Sequence, residues 1–193
     1  MAIIKKIQIE DTIYEANVDF RIAIRCNEIA QDSKIGRFEK TLAIIYTMFG
    51  DKGLENKEHF GKLLKWALDY LSCGKPVSDK QEKPDMDYIE DMDYIETSFF
   101  SDYGIDLTET EMDWHKFYKL MNGLSNSELG NCCILNRIRN LRNFDVSIIK
   151  DNKERQRIIK LQNDFALQKY KKENQLTKEQ EESMERLNKI LGL

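Results

Sequence analysis

Four carboxylates, Asp85, Asp87, Asp91 and Asp93, crowd one stretch of this chain, inside a hexapeptide Asp-Met-Asp-Tyr-Ile-Glu that occurs twice in succession, at 85–90 and 91–96. An oxygen-rich cluster of this kind suits Mg²⁺ or Ca²⁺. The spacing does not support that use, because no glycine stands at the sixth position of a binding loop counted from Asp85 or Asp87. An acidic helix start, favoured by the helix dipole, is the plainer account, and no metal site is expected. His59 and His115 pair neither with each other nor with a cysteine at the close spacing of a zinc motif. Cys26, Cys73, Cys132 and Cys133 contain no CxxC spacing and read as buried, reduced thiols. No glycine-rich phosphate loop is present. The reading is a protein with no catalytic residue and no cofactor.

Charge carries more information. The net charge of −4 over 193 residues conceals thirteen acidic against two basic residues from Asp79 to Asp113, and eleven basic against four acidic from Arg137 to Lys172. Such a dipole along the sequence bears on partners. Arg137, Arg139 and Arg142 on one side, and Asp85, Asp87 and Asp91 on the other, are therefore the candidate partner-binding residues. The two blocks could neutralise each other within one subunit or meet between copies; the narrow apolar stripes after Phe144 tilt toward the second, which makes a homo-oligomer through acidic and basic patches a possible assembly. Nucleic acid is not an expected partner, because the pI is about 5.4 and exposed aromatics are not interleaved with the basic residues. Hydrophobic residues make up 41% of the chain and charged residues 33%, with a mean hydropathy of −0.60. No apolar run approaches the roughly 20 residues of a membrane span. The start also lacks the apolar centre of a secretory signal, which implies the cytoplasm.

The elements that must position these residues are mostly helices. Ile3 to Glu10 and Ile13 to Val18 alternate as strands around an Asp11–Thr12 turn, which predicts a small hairpin. Asp19 is placed to cap a helix with Phe20, Ile22, Ala23, Cys26, Ile29 and Ala30 on its apolar face. A second helix carries Phe38, Leu42, Ile45, Tyr46 and Phe49 and closes at Gly50 and Gly53. A third, from about Asn56 to Cys73, carries Phe60, Leu63, Leu64, Ala67, Leu68 and Leu71. Residues 74–84 hold both prolines and read as a mobile loop. Tyr94, Ile95, Phe99 and Phe100 then form one face of a helix that a left-handed Gly104 ends after Tyr103. Thr108 with Glu111 has the capping-box pattern for the next helix, whose stripe is Trp114, Phe117, Leu120, Met121 and Leu124. Phe99, Tyr103, Gly104, Trp114, Phe117, Leu120 and Leu124 are accordingly the expected structural core of this region. Ser125 with Glu128 opens another helix through Leu129, Cys133, Ile134, Ile138 and Leu141. Narrow stripes at Ile158, Leu161 and Phe165, and at Met184, Leu187, Ile190 and Leu191, predict two further charged helices. The expected organisation is a helical domain over 1–144, with the N-terminal hairpin, and a charged helical appendage over 145–193.

The run Asp93-Tyr94-Ile95, the corner Tyr103-Gly104-Ile105-Asp106-Leu107, the stripe from Trp114 to Leu124 and, near the start, Asp19-Phe20-Arg21 resemble a family of siphophage proteins from Gram-positive hosts. The likeness is strongest from about Asp91 to Arg142. Genes of that family lie beside the tape-measure gene, and its members are regarded as tail assembly chaperones. The resemblance implies a non-enzymatic helper that binds the tape-measure protein, assists assembly of tail-tube subunits, resides in the host cytoplasm and is absent from the mature virion. The alternative is a structural component retained in the tail, and a metal-dependent enzyme is a distant third.

Overall fold

The computed structural model of the chain describes residues 3–75, 84–126 and 132–171. The fold is mostly helical behind a two-stranded antiparallel hairpin, β1 (Ile4–Ile9) and β2 (Thr12–Asn17). By internal contacts the chain forms two compact units, Met1–Lys83 with Asp91–Arg137, and Pro84–Glu90 with Ile138–Leu193. The acidic stretch 84–90 thus groups with the C-terminal part, and the division falls at 137/138. The last expected helix and most of the loop 74–84 lie outside the described residues, as do Glu128 and Leu129.

In the first unit the hairpin register pairs Ile4 with Asn17 and Gln8 with Ile13. This places Tyr14 and Ala16 inward and Ile4 and Ile13 outward. The turn uses Glu10 and Asp11, one residue earlier than expected, with Glu10 left-handed at φ 55°. The hairpin is anchored by Tyr14, whose hydroxyl lies 2.7 Å from His59 Nδ1, while His59 Nε2 lies 3.3 Å from the Glu10 carboxylate. A two-stranded ribbon is marginal by itself, and this docking supplies the missing support.

Helices α1 (Phe20–Gln31), α2 (Arg37–Phe49) and α3 (Phe60–Leu71) pack in series. Asp19 caps α1, accepting the Arg21 N–H at 3.0 Å. Gly50 ends α2 at φ 64°, whereas Gly53 sits inside a short 3-10 turn rather than at the helix end. The inward faces differ in part from those the periodicity predicts. Ile44 and Met48 are buried in α2, while Phe38 is 64% and Tyr46 53% exposed; Leu68 of α3 also faces outward. In α1 the buried set is Phe20, Ala23, Ile24 and Cys26. A helix with apolar residues on more than one side must leave some in solvent, and periodicity does not choose which.

Next come α4 (Met92–Tyr103), α5 (Trp114–Asn122) and α6 (Ile134–Asn143). In α4 Ile95 and Phe99, four apart, point inward together with Ser98, and Phe100 turns out to solvent. The Thr108–Glu111 capping box does not form. Asp106 Oδ1 captures both the Thr108 N–H and hydroxyl in a local turn. Asp113 caps α5 instead, accepting from His115 N–H at 2.9 Å and Lys116 N–H at 3.3 Å. In the second unit, α7 (Asn152–Asp164) contains no fully buried residue, and the four-residue α8 (Gln168–Lys171) comes directly after Leu167, which is buried. No helix among the described residues is long and apolar enough to cross a membrane.

Candidate functional site

The first unit is organised on the segment Asp19-Phe20-Arg21. Asp19 Oδ2 also accepts the Met112 N–H at 3.2 Å, the Phe20 N–H donates to Met112 O at 2.9 Å, and the Trp114 N–H returns to Val18 O at 3.0 Å. The Arg21 guanidinium donates to the carbonyls of Leu107 and Thr110. These bonds satisfy the backbone of the corner before α5, which would otherwise hold unpaired peptide groups.

Beneath them, Phe117 lies between Phe20, at 4.5 Å between ring centroids, and Phe99, at 5.1 Å, with all three rings nearly parallel. Trp114 stacks beside Phe117 at 5.7 Å, and its indole N–H donates to Leu71 O at 3.0 Å. Phe99, Trp114, Phe117 and Leu124 are buried, whereas Tyr103 and Leu120 are half-buried, joined by the Tyr103 hydroxyl donating to Leu120 O at 2.9 Å. Gly104 is left-handed at φ 65°, ψ 22°. Around Phe20, Phe99, Trp114 and Phe117 this assembly is a packed interior.

Polar groups beside it are strongly held. The Tyr70 hydroxyl donates to Asp113 Oδ2 at 2.6 Å, and burial with the adjacent carboxylate pushes the Tyr70 phenol up. Burial would raise Asp113, but the Tyr70 hydroxyl and the backbone N–H groups of Lys116 and His115 outweigh it and hold the carboxyl below its ordinary value. Cys26 is buried and its thiol is pushed up to about 12 by that burial. All four cysteines are free, with Cys73 and Cys132 half-buried rather than enclosed.

Two surface features stand apart from this interior. One is an open groove of about 720 Å³ between the outer face of the hairpin and α2. Ile4, Ile13, Tyr46 and Phe49 line it, with Arg25 and Lys52 among its charged residues. Sequence reasoning missed it, although Ile4 and Ile13 were visible as the isoleucines outside the inward alternation of their strands.

The other lies within the second unit. Arg139 forms an ion pair with Asp85 at 3.2 Å, Arg142 donates to the Asp85 carbonyl at 2.8 Å, and Asn143 Nδ2 donates to the Asp85 carboxylate at 3.0 Å. Lys169 pairs with Asp87 at 3.3 Å. Asp87 also accepts the N–H groups of Ile89 and Glu90, and Glu90 accepts those of Gln168 and Lys169. Burial would raise the Asp87 carboxyl, but the two backbone N–H groups and Lys169 outweigh it and hold it low.

Of the six candidate partner residues, the structure therefore brings Asp85, Asp87, Arg139 and Arg142 into one cluster. Arg137 belongs to the first unit, in a surface depression with Asp102 and Ser125. Asp91 is a correction: it is 1% exposed, at the start of α4, and offers no surface to a partner. Asn143, Glu90 and Lys169 were not foreseen, the last because 82 positions separate it from Asp87.

Comparison with curated proteins and with solved structures returns no match. A family model described as Bacteriophage Gp15 protein matches residues 2–167. That span takes in the hairpin, the Asp19–Arg21 anchor, the aromatic stack and the carboxylate–arginine cluster, and the chain belongs to the Bacteriophage Gp15 protein family.

Proposed function

We propose that the chain is a tail assembly chaperone, which binds amphipathic helical segments of the tape-measure protein in the host cytoplasm and yields them as tail-tube subunits polymerise. Its action is binding rather than catalysis, and it leaves before the virion is complete. The observation that carries this reading is the set of large apolar side chains facing outward from a well-packed unit. Phe38 and Tyr46 face outward from α2, eight residues apart, and Tyr46 shares a groove with Ile4 and Ile13. A helix laid into such a groove buries anchors spaced by three and four, which is how an amphipathic segment is covered and later exchanged. The choice of the tape-measure protein as partner rests on the resemblance to tail assembly chaperones, and membership in a bacteriophage family is in keeping with it.

The test is co-expression with the tape-measure protein encoded nearby. The wild-type chain should keep it soluble and co-purify with it, and the double variant Ile13→Glu, Tyr46→Glu should fold yet lose both effects. A soluble tape-measure protein without the chain, or full rescue by the double variant, refutes the reading. Purified virions carrying the chain would make it a tail component instead.

A further inference from the structure

The second unit holds a feature that the chaperone reading does not use. Residues 85–90 are the first of the two identical hexapeptides, and they sit against side chains of α6 and α8 as a bound peptide sits on a receptor. Arg139, Arg142, Asn143 and Lys169 converge on them from parts of the chain that are far apart in sequence. The Asp85 side chain is 27% and the Asp87 side chain 12% exposed, so the two carboxylates are partly sheltered, while Arg139 at 36% and Lys169 at 42% reach them from the solvent side.

We propose that the face formed by Arg139, Arg142, Asn143 and Lys169 is a recognition site for acidic peptide segments of the pattern Asp-x-Asp-x-x-Glu, which residues 85–90 occupy in cis and a segment of another chain occupies in trans. Three features select a peptide over a nucleic acid. Arg142 reads a main-chain carbonyl, Glu90 is read by main-chain N–H groups, and Asp87 folds its own turn by accepting from Ile89 and Glu90. A phosphate backbone offers no equivalent of the carbonyl or of the turn. The second hexapeptide cannot serve as the ligand, because Asp91 and Ile95 are buried at the start of α4.

A tethered segment acts at an effective concentration on the order of millimolar, so a free peptide competes poorly with it. Neutralising the tether should expose the site. The probe is a fluorescein-labelled, end-capped Asp-Met-Asp-Tyr-Ile-Glu peptide, measured by anisotropy against the full chain at low salt. The triple variant Asp85→Asn, Asp87→Asn, Glu90→Gln should bind it about tenfold or more tightly than wild type, in keeping with removal of the tethered competitor. Adding Arg139→Ala and Arg142→Ala should abolish binding, and a scrambled peptide should bind weakly. The inference is overturned if the folded triple variant ignores the peptide, takes the scrambled one equally well, or prefers a single-stranded oligonucleotide of equal charge. Should the triple variant not fold, wild type decides the matter. Excess peptide should speed hydrogen exchange at Ile89 and Glu90, whereas unchanged exchange rejects the site. Neither readout involves the tape-measure protein, so this inference and the chaperone reading fail separately.

Discussion

Six identical residues occur twice in this protein and do two different jobs. In the first copy Asp85, Asp87 and Glu90 are the working residues, each engaged by arginine, lysine or backbone N–H groups, and Ile89 is 49% exposed. In the second copy the roles reverse. Ile95 is fully buried in α4, and Asp91 is enclosed at the helix start. The local propensities of the two copies are the same, so the difference lies in what each meets along the chain and across it. The second copy continues into Phe99 and Tyr103, which complete an apolar stripe with period near 3.6. The first runs into another acidic hexapeptide and has no such continuation. One unit is thus closed by rings and aliphatic burial, the other by carboxylates among cations.

The comparison is broken most directly at the rings. Trp114→Ala should cost roughly 3–5 kcal/mol, because it opens a cavity beside Phe117 and leaves Leu71 O without its donor. Thermal or urea unfolding monitored by circular dichroism measures this, and a loss below about 1 kcal/mol would mean that the stack is not what closes the first unit. The sharper test uses the repeat itself. Ile95→Ala should cost about 2–5 kcal/mol, while Ile89→Ala, the same substitution in the same hexapeptide, should stay within about 0.5 kcal/mol. Equal losses would overturn the contrast.

A smaller effect belongs to the corner. Gly104 is left-handed with open space around its Cα. Gly104→Ala therefore incurs backbone strain and no clash, on the order of 1 kcal/mol. Gly104→Asn should recover part of that, because asparagine tolerates the same conformation.

Much of this was legible in the residues. The Asp19 cap, the hairpin and the Gly104 helix end arise from local chemistry that acts within a few positions. The Thr108–Glu111 box failed because Asp106 lies two residues before Thr108 and takes its donors first, leaving Asp113 to cap α5. Phe38, Tyr46 and Phe100 were assigned inward because they are large and apolar, yet facing depends on the neighbouring helix. The charge blocks were legible as complementary, to be paired within one subunit or between copies, but which residues pair inside the chain was not. That pairing joins Asp87 to Lys169, and no local pattern encodes it.

The smallest expected effect is also the most discriminating. Asp87 and Asp113, one in each unit, both have carboxyls held below the ordinary range in spite of burial. A carboxyl lowered on folding contributes stability that is fully present above its unfolded pKa of about 3.9 and is lost as pH falls through the folded value. Both units should therefore weaken below about pH 4, and Asp87→Asn or Asp113→Asn should each flatten its share of that acid limb. Salt should separate them. After the two backbone N–H bonds, Asp87 is lowered by the charge of Lys169, whereas Asp113 is lowered first by the Tyr70 hydroxyl and then by backbone N–H groups, with Lys5 contributing least. Raising the salt to about 1 M shortens the screening length to about 3 Å and weakens charge attraction more than a short hydrogen bond. Carboxyl-detected NMR titration should then show the Asp87 midpoint rising further than that of Asp113. Equal salt shifts at the two carboxyls would show that the second unit is not held by charge in the way its geometry indicates.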